Sequence, residues 1–291
     1  MRGNYNISGA GSITSGAGTS SYFGYIIFNN STNTNLNRSS ANHHIEQVKY
    51  RINSGANVTV TGGPMELSSG ATAATDYLTV STDASLNLGT NSIISNGLAA
   101  HCGIQVSSSG TLLTANINGL YDGTNNAAIS SGSNMDYELA STSTICYNGV
   151  DNQKISGYGN GIATATKHKY GSLEIAFNGT ADNEYSYLEN DLEVRNEITL
   201  TSGELKLNGH TLTGELITAT TGYVKSEENN AVNNSKLRLA YTPTNKNLTF
   251  PLKKQLDLHS GIYKYYKQSG NRIHHRLYAW NRRKQHSTPR T

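Results

Sequence analysis

The segment LEVRNEITLTSGELKLNGHTLT, which runs from Leu192 to Thr213, contains the clearest signal of the fold in this chain. Its apolar residues come in pairs with one residue between the two members, and the later pairs are separated by Ser-Gly or Asn-Gly steps. The paired positions are Leu192 and Val194, Ile198 and Leu200, Leu205 and Leu207, with Leu212 opening the last pair. Alternation puts each pair on one face of a short strand, and each small turn step changes the direction of the chain.

These pairs follow one another too closely for a helix and its return. Their first residues lie six, seven and seven positions apart, a spacing that suits one strand and one corner. A chain that repeats this pattern winds into a β-solenoid, in which each coil buries its apolar row against the next coil. Residues 1–251 are therefore predicted to form an all-β, irregular right-handed parallel β-helix, or β-solenoid.

Asn-Gly steps mark further corners, because both residues tolerate the positive φ that a tight turn requires. They occur at Asn96-Gly97, Asn118-Gly119, Asn148-Gly149, Asn178-Gly179 and Asn208-Gly209. Their separations of 22, 30, 30 and 30 residues follow no strict period. A β-sandwich built from hairpins would use the same turns, and it is the alternative fold.

Two segments of the N-terminal part carry their own predictions. Aromatic and β-branched residues between Tyr22 and Phe28 predict a buried strand. Residues Ser39–Ile52 have apolar positions near helical spacing, but Val48, Tyr50 and Ile52 also alternate. A strand is preferred there, with a short helical turn as the alternative.

The composition of the 291-residue chain excludes some classes of protein. It has 29 glycines, 15% charged residues and 35% hydrophobic residues, the last two below the globular averages. Long apolar runs are absent, so no membrane span is predicted. The opening MRGNYNISGAGS has no apolar segment of the kind that a secretory signal peptide needs. We expect a piece of a longer exported protein.

Charge divides the chain into an acidic body and a basic tail. Residues 1–251 carry 13 Lys and Arg against 19 Asp and Glu, a net charge of −6. Residues 252–291 carry 10 Lys and Arg against one acidic residue, a net charge of +9. The net charge of +3 for the whole chain therefore hides two opposite parts.

The two cysteines, Cys102 and Cys146, lie 44 positions apart in turn-rich contexts. A disulfide forms only if neighbouring coils bring them together, and two buried free thiols are the alternative. We expect no metal site and no cofactor.

Four segments after Cys146 resemble repeats of a known class of protein. They are YNGVDNQKISG (Tyr147–Gly157), YGSLEIAFNGT (Tyr170–Thr180), DLEVRNEITLTSGELKLNGHTLTG (Asp191–Gly214) and NLTFPL (Asn247–Leu252). Together they resemble the β-solenoid repeats of large secreted, adhesin-like surface proteins of Bacteroidota, best over residues 145–252. The resemblance implies export by the type IX route and display at the cell surface. Those proteins usually carry a signal at one end and a sorting domain at the other, and this chain shows neither, so we expect a fragment.

The tail at 252–291 mixes cations with aromatic rings, a combination that binds polyanions. The cations of this hypothetical site are Lys264, Lys267, Arg272, Arg276, Arg282, Arg283 and Lys284. A second interpretation is that the tail is read in a shifted frame, because skipping one base near Lys253 permits a sequence with the alternation of the body. A third is an ordinary basic segment that is poorly ordered.

A carbohydrate-active enzyme on the same scaffold is the alternative function, because glycoside cleavage uses two carboxylates in a groove. The densest acidic cluster comprises Asp182, Glu184, Glu189 and Asp191. It lacks neighbouring Arg, Lys or His in the sequence, which favours a solvated acidic turn. The preferred prediction is a non-enzymatic extracellular segment that contacts glycans or other surface polymers, with flanking parts of the parent protein as partners. Nucleic acid is not the expected ligand.

Overall fold

A computed structural model describes residues 5–7, 24–38, 48–67, 74–95, 102–121, 126–129, 135–156, 169–178, 185–225, 235–240, 266–267 and 272–275. These residues form strands, turns and bends, and they contain no helix. Several of the short strands end at a small turn residue, as they do before Gly62 and Gly203.

The largest element is a nine-stranded parallel sheet, here called the long sheet. Its strands are, in spatial order, β1 (Tyr5–Ile7), β3 (Thr34–Arg38), β5 (Asn57–Thr61), β8 (Ser85–Asn87), β11 (Thr111–Thr114), β13 (Thr144–Tyr147), β16 (Ser172–Ala176), β19 (Glu197–Ser202) and β22 (Leu216–Ala219). Every second or third strand of the chain returns to this sheet, so the chain completes one coil between consecutive members.

The strands that precede the long sheet in each coil form two further sheets. The first contains β2 (Gly24–Phe28), β4 (Val48–Ile52), β7 (Ala74–Val80), β10 (Cys102–Val106) and β12 (Met135–Leu139). The second contains β15 (Lys169–Tyr170), β18 (Leu192–Val194), β21 (Thr211–Gly214) and β24 (Lys236–Ala240), followed by β26 (Arg272–His275) and β25 (Tyr266–Lys267). The Arg195 guanidinium joins the two sheets, because it donates to the carbonyls of Lys169 (3.3 Å) and Leu139.

Strands that follow the long sheet make the third side of the coils. Near the N-terminus, β6 (Met65–Leu67) pairs with β9 (Ile93–Ser95), and Ile93 bridges Ile129. Later coils contribute a four-stranded sheet, here called the short sheet, of β14 (Gln153–Ile155), β17 (Tyr185–Leu188), β20 (Glu204–Lys206) and β23 (Tyr223–Lys225).

The pairing pattern confirms the predicted class of fold. All pairings among β1–β24 are parallel, and each joins strands of consecutive coils. The facing antiparallel layers of the alternative β-sandwich are not found in the described part of the chain, where only β24, β26 and β25 pair antiparallel. The right hand of the solenoid stays a prediction.

Aliphatic side chains stack on the inner side of the long sheet. In register along the axis lie Val58, Leu86, Leu112, Ile145, Leu173, Ile198 and Ile217, all buried. Coil length varies, because Leu112 and Ile145 are 33 residues apart whereas Ile198 and Ile217 are 19 apart. The solenoid is therefore irregular, as predicted.

The segment from Leu192 to Thr213 has the expected structure. Its seven predicted apolar residues between Leu192 and Leu212 are all buried. Corners form where small residues were expected, with positive φ at Gly203, Asn208 and Gly209. In the N-terminal part, Phe28 of β2 is buried, but Tyr25 is 50% exposed, so this strand is less buried than predicted. Strand β4 confirms the strand preferred for the end of Ser39–Ile52, and residues 39–47 of that segment lie outside the described residues.

Candidate functional site

The outer surface of the short sheet carries aromatic and charged side chains in two rows. One row contains Tyr185, Glu204 and Tyr223, which are in register on consecutive coils. The other row contains Lys154, Tyr187, Lys206 and Lys225, also in register. We call these seven residues the tyrosine–lysine face.

Strand alternation produces this face. In β17 the residues Ser186 and Leu188 are buried, so Tyr185 and Tyr187, which alternate with them, point outward. In β23 Val224 is buried between Tyr223 and Lys225. Strands β17, β20 and β23 thereby each place an aromatic or charged residue on both sides of an inward residue, which is Ser186, Leu205 or Val224.

Glu204 organises the cations of the face. Its side chain is only 9% exposed, and its Oε1 lies 3.8 Å from Lys206 Nζ and 3.6 Å from Lys225 Nζ. Its Oε2 accepts a hydrogen bond of 2.9 Å from the Tyr223 hydroxyl. One largely buried carboxylate therefore holds two ammonium groups and one phenol in place, because an unpaired carboxylate would be costly there.

Aromatic contacts fix the remaining members. Lys206 Nζ lies 3.1 Å from the centre of the Tyr185 ring, a cation–π contact, and the rings of Tyr185 and Tyr187 are 5.9 Å apart. Lys154 Nζ is paired with Glu189 at 3.1 Å, and both side chains are about one third exposed (31% and 30%). Burial raises the pKa of Tyr187, while the charge of Lys154 opposes the rise. The Tyr187 phenol therefore stays a neutral hydrogen-bond donor in neutral solution.

A buried polar network supports the short sheet from below. The Gln153 amide donates to the carbonyls of Thr114 (3.0 Å) and Asn116 (3.1 Å), and its oxygen accepts from the Gly149 amide at 2.8 Å. These bonds tie β14 to the preceding coil. Because its polar atoms are paired, this network is structural rather than a ligand site.

A second surface, the polar face, lies on the outside of the long sheet. Its members are neutral amides and hydroxyls in two rows, namely Asn35, Thr59 and Asn87 in one and Asn57, Ser85, Thr111 and Thr144 in the other. Neighbouring coils are linked through it, since Ser85 Oγ donates to Asn57 Oδ1 at 2.6 Å. It offers hydrogen bonds without charge.

The predicted acidic cluster is only partly described. Asp182 and Glu184 lie outside the described residues. Glu189 forms the ion pair with Lys154, and Asp191 Oδ1 accepts a hydrogen bond of 2.7 Å from the Thr211 amide and lies 3.8 Å from His210 Nδ1. The two described carboxylates thus have structural partners on neighbouring strands. Whether they act on glycans stays a prediction.

The predicted polyanion-binding tail is also partly described. Lys267 lies on β25 and Arg272 on β26, which pairs antiparallel with the last coil through β24. The other cations of that hypothesis, Lys264, Arg276, Arg282, Arg283 and Lys284, lie outside the described residues. The reading frame of the tail stays a prediction as well.

Cys146 is a free, buried thiol, so it forms no disulfide with Cys102, and the alternative of a buried free thiol is confirmed at Cys146. Burial raises the pKa of this thiol, and the neighbouring Glu174 carboxylate raises it further. Such a thiol is protonated and unreactive at neutral pH. Among the residues with described placement, no group of three His, Cys, Asp or Glu side chains could hold a metal ion.

Comparison with known proteins gives no relative: no protein-family model, curated protein or solved structure matches this chain. In the described ranges we also find no helix of the length and apolarity needed to cross a membrane.

Sequence reasoning missed the tyrosine–lysine face. Its local signal is present, because YSYL, ELK and YVK each place an aromatic or charged residue on both sides of an inward residue. The sequence does not show the register between coils that brings these residues together. Lys154 and Tyr187 are 33 residues apart, whereas Tyr187, Lys206 and Lys225 follow at intervals of 19, so no fixed period connects them.

Proposed function

We propose that this chain is a non-enzymatic, extracellular β-solenoid segment of a larger surface protein, and that it contacts glycans or other surface polymers. The observation that carries the proposal is the tyrosine–lysine face, a surface of aromatic rings and charged groups on a rigid parallel sheet. The resemblance of residues 145–252 to adhesin-like solenoid repeats supports the same assignment, with export by the type IX route.

The scaffold suits a mechanical role. In-register backbone ladders join every coil to its neighbours, and each coil buries its apolar row against the next. Pulling along the axis must break several hydrogen bonds of a coil together, because the coil pairs on all of its sides. The segment can therefore act as a stiff spacer that carries a contact surface.

The face suits a sugar polymer for a chemical reason. A tyrosine offers a flat apolar ring for stacking and a hydroxyl for hydrogen bonding. Lysine donates up to three hydrogen bonds, and a carboxylate accepts them. Sugars present both C–H faces and hydroxyl groups, so Tyr187 and Tyr223 can stack while Lys154, Lys225 and the neighbouring Glu189 carboxylate bind hydroxyls.

Replacement of an outward tyrosine tests the proposal. The full-length chain and its Tyr187→Ala variant are applied to an array of bacterial and host glycans and to isolated surface polysaccharide. Tyr25→Ala is the matched control, because Tyr25 is also partly exposed but lies on β2. We expect Tyr187→Ala to weaken binding about tenfold, or about 1.4 kcal/mol, and Tyr25→Ala to leave it unchanged. Equal binding by all three proteins, or no binding to any polymer, contradicts the proposal.

A further inference from the structure

The tyrosine–lysine face reverses the charge of the body around it. Residues 1–251 carry a net charge of −6, whereas the seven residues of this face contain three lysines and one glutamate, a net charge of +2. Consecutive strands of a sheet are about 4.8 Å apart, so the row from Lys154 to Lys225 spans about 14 Å along the axis. A linear polymer that lies along the axis meets a cation, a ring and two further cations in succession.

The ammonium groups are held at the surface rather than withdrawn from it. The side chains of Lys154 and Lys225 are 31% and 44% exposed, so each retains access to solvent beside its carboxylate partner. Lys206 is fixed between Glu204 and the Tyr185 ring. Because these contacts already order the three side chains, a ligand loses less side-chain entropy on binding them.

On this basis we propose that the tyrosine–lysine face binds an acidic glycan, a sugar chain that carries carboxylate or sulfate groups. The inference rests on the proposed function and narrows it to one chemical class. Lysine ammonium groups pair with the anions, and the Tyr187 ring stacks against a sugar of the same chain.

Two carboxylates, one in the face and one beside it, distinguish this ligand from a nucleic acid. Glu189 and Glu204 lie among the lysines, 3.1 to 3.8 Å from them. A nucleic acid has a phosphate at every nucleotide and would be repelled by these carboxylates. An acidic glycan carries hydroxyl groups as well as anions, even with an anion on every sugar, and those hydroxyls can donate to the Glu189 carboxylate, whose side chain is 30% exposed.

Two matched polymer pairs test the ligand class with the full-length chain. The first pair is polygalacturonate and its carboxyl-reduced counterpart, which keeps the sugar chain and loses the charge. The second pair is dextran sulfate and dextran. We expect at least one acidic polymer to bind about tenfold or more tightly than its neutral counterpart, and to release as salt is raised. A single-stranded oligonucleotide is the competitor, and binding of it as tight as that of the acidic polymer overturns the inference.

Two double variants with the same loss of charge test the position. Lys154→Gln with Lys225→Gln removes two cations from the face. Lys169→Gln with Lys236→Gln removes two cations from strands β15 and β24 on another side of the solenoid, and Lys169 is likewise paired with a carboxylate, that of Glu193 at 2.7 Å. We expect the first variant to weaken acidic-polymer binding about tenfold and the second by less than about twofold. Circular dichroism and the unfolding midpoint check that both variants are folded.

A third variant separates this face from the basic tail. Arg282→Gln, Arg283→Gln and Lys284→Gln together should leave the binding unchanged. Loss of binding in this variant but not in the Lys154 and Lys225 variant overturns the inference in favour of the tail. Equal losses of binding in all variants also overturn it, because they indicate unspecific charge attraction. Neutral polymers that bind through Tyr187 while acidic ones show no preference also overturn it, but that result leaves the proposed function intact.

Discussion

The hydroxyl groups of Tyr147 and Tyr170 lie 2.8 Å apart inside the solenoid, on the side chains of two consecutive coils. Tyr170 donates onward to the Ser156 carbonyl at 2.9 Å, and the Leu120 amide donates to the Tyr147 oxygen at 3.4 Å. Tyr147 must therefore be the donor to Tyr170, and a hydrogen-bonded chain of one polarity crosses the core. It runs from Leu120, which follows β11, through Tyr147 on β13 and Tyr170 on β15 to Ser156, which follows β14.

Removing one hydroxyl group from this series of buried hydrogen bonds should destabilise the fold. In Tyr147→Phe the Leu120 amide loses its acceptor and the Tyr170 oxygen loses its donor, and both are buried. We expect the free energy of unfolding to fall by about 1–3 kcal/mol, measured by denaturant titration. Tyr187→Phe, on the surface, should change it by less than about 0.5 kcal/mol. Equal effects of the two variants would contradict the buried chain.

Tyr147 should also lower the free energy of unfolding at alkaline pH. Burial raises the pKa of Tyr147 above its ordinary value of 10.0, and hydrogen bonds to Tyr170 and Leu120 offset only part of the rise. The folded state therefore keeps a proton that the unfolded state releases, so this contribution is complete below pH 10 and is lost as pH rises above it. The slope approaches about 1.4 kcal/mol per pH unit for this group.

The comparison of wild type with Tyr147→Phe isolates that group from the other titrating residues. Between pH 8 and pH 11 the denaturant midpoint should fall further in the wild type than in Tyr147→Phe. An identical fall in both proteins would show that Tyr147 does not titrate differently in the folded state.

Two glycines with nearly the same backbone φ allow the stability cost of backbone strain to be distinguished from the cost of disturbed packing. Gly203 has φ +84° and Gly209 has φ +85°, but a Cβ on Gly203 would lie 2.8 Å from the Phe177 Cβ whereas one on Gly209 meets nothing within 4 Å. Gly209→Ala should cost about 1–2 kcal/mol for the left-handed backbone alone. Gly203→Ala should cost more, because Phe177 must also shift, and thermal unfolding of the two variants measures the difference. A smaller loss for Gly203→Ala contradicts the packing of that corner.

Neighbouring residues of one strand test which side of the long sheet is the core. Leu112 is fully buried, and the adjacent Thr111 lies on the opposite side of β11. Leu112→Ala should cost about 2–5 kcal/mol, because it leaves a cavity in the stacked aliphatic row. Thr111→Ala should cost less than about 1 kcal/mol. A reversed order in the denaturation midpoints would mean that the strand faces the other way.

The sequence predicted most of what depends on alternation and on turn chemistry. Ile198 and Leu200 could be placed on one face from their spacing, and the corner at Asn208-Gly209 from the residue types. These features are local, so a few neighbouring residues determine them.

Features that depend on register were not predictable in this way. Tyr147 and Tyr170 meet because the coil between them has a particular length, and coil lengths here range from 19 to 33 residues. Cys146 alternates outward in β13 and is nevertheless buried, which the alternation of the sequence does not indicate. The tyrosine–lysine face needs three such registers at once.

Distances between spin labels on different coils test whether the coils stack along a common axis at the spacing of parallel strands. Thr59, Thr199 and Thr218 lie in one outward row of the long sheet, with five inter-coil steps from Thr59 to Thr199 and a sixth to Thr218. Labels are attached in pairs at Thr59→Cys with Thr199→Cys, and at Thr59→Cys with Thr218→Cys, after Cys102→Ala and Cys146→Ala. Pulsed EPR should give separations near 24 Å and 29 Å, because each step adds about 4.8 Å. Separations that do not increase by about one strand spacing, or that are far shorter than 24 Å, would contradict a stack of parallel coils.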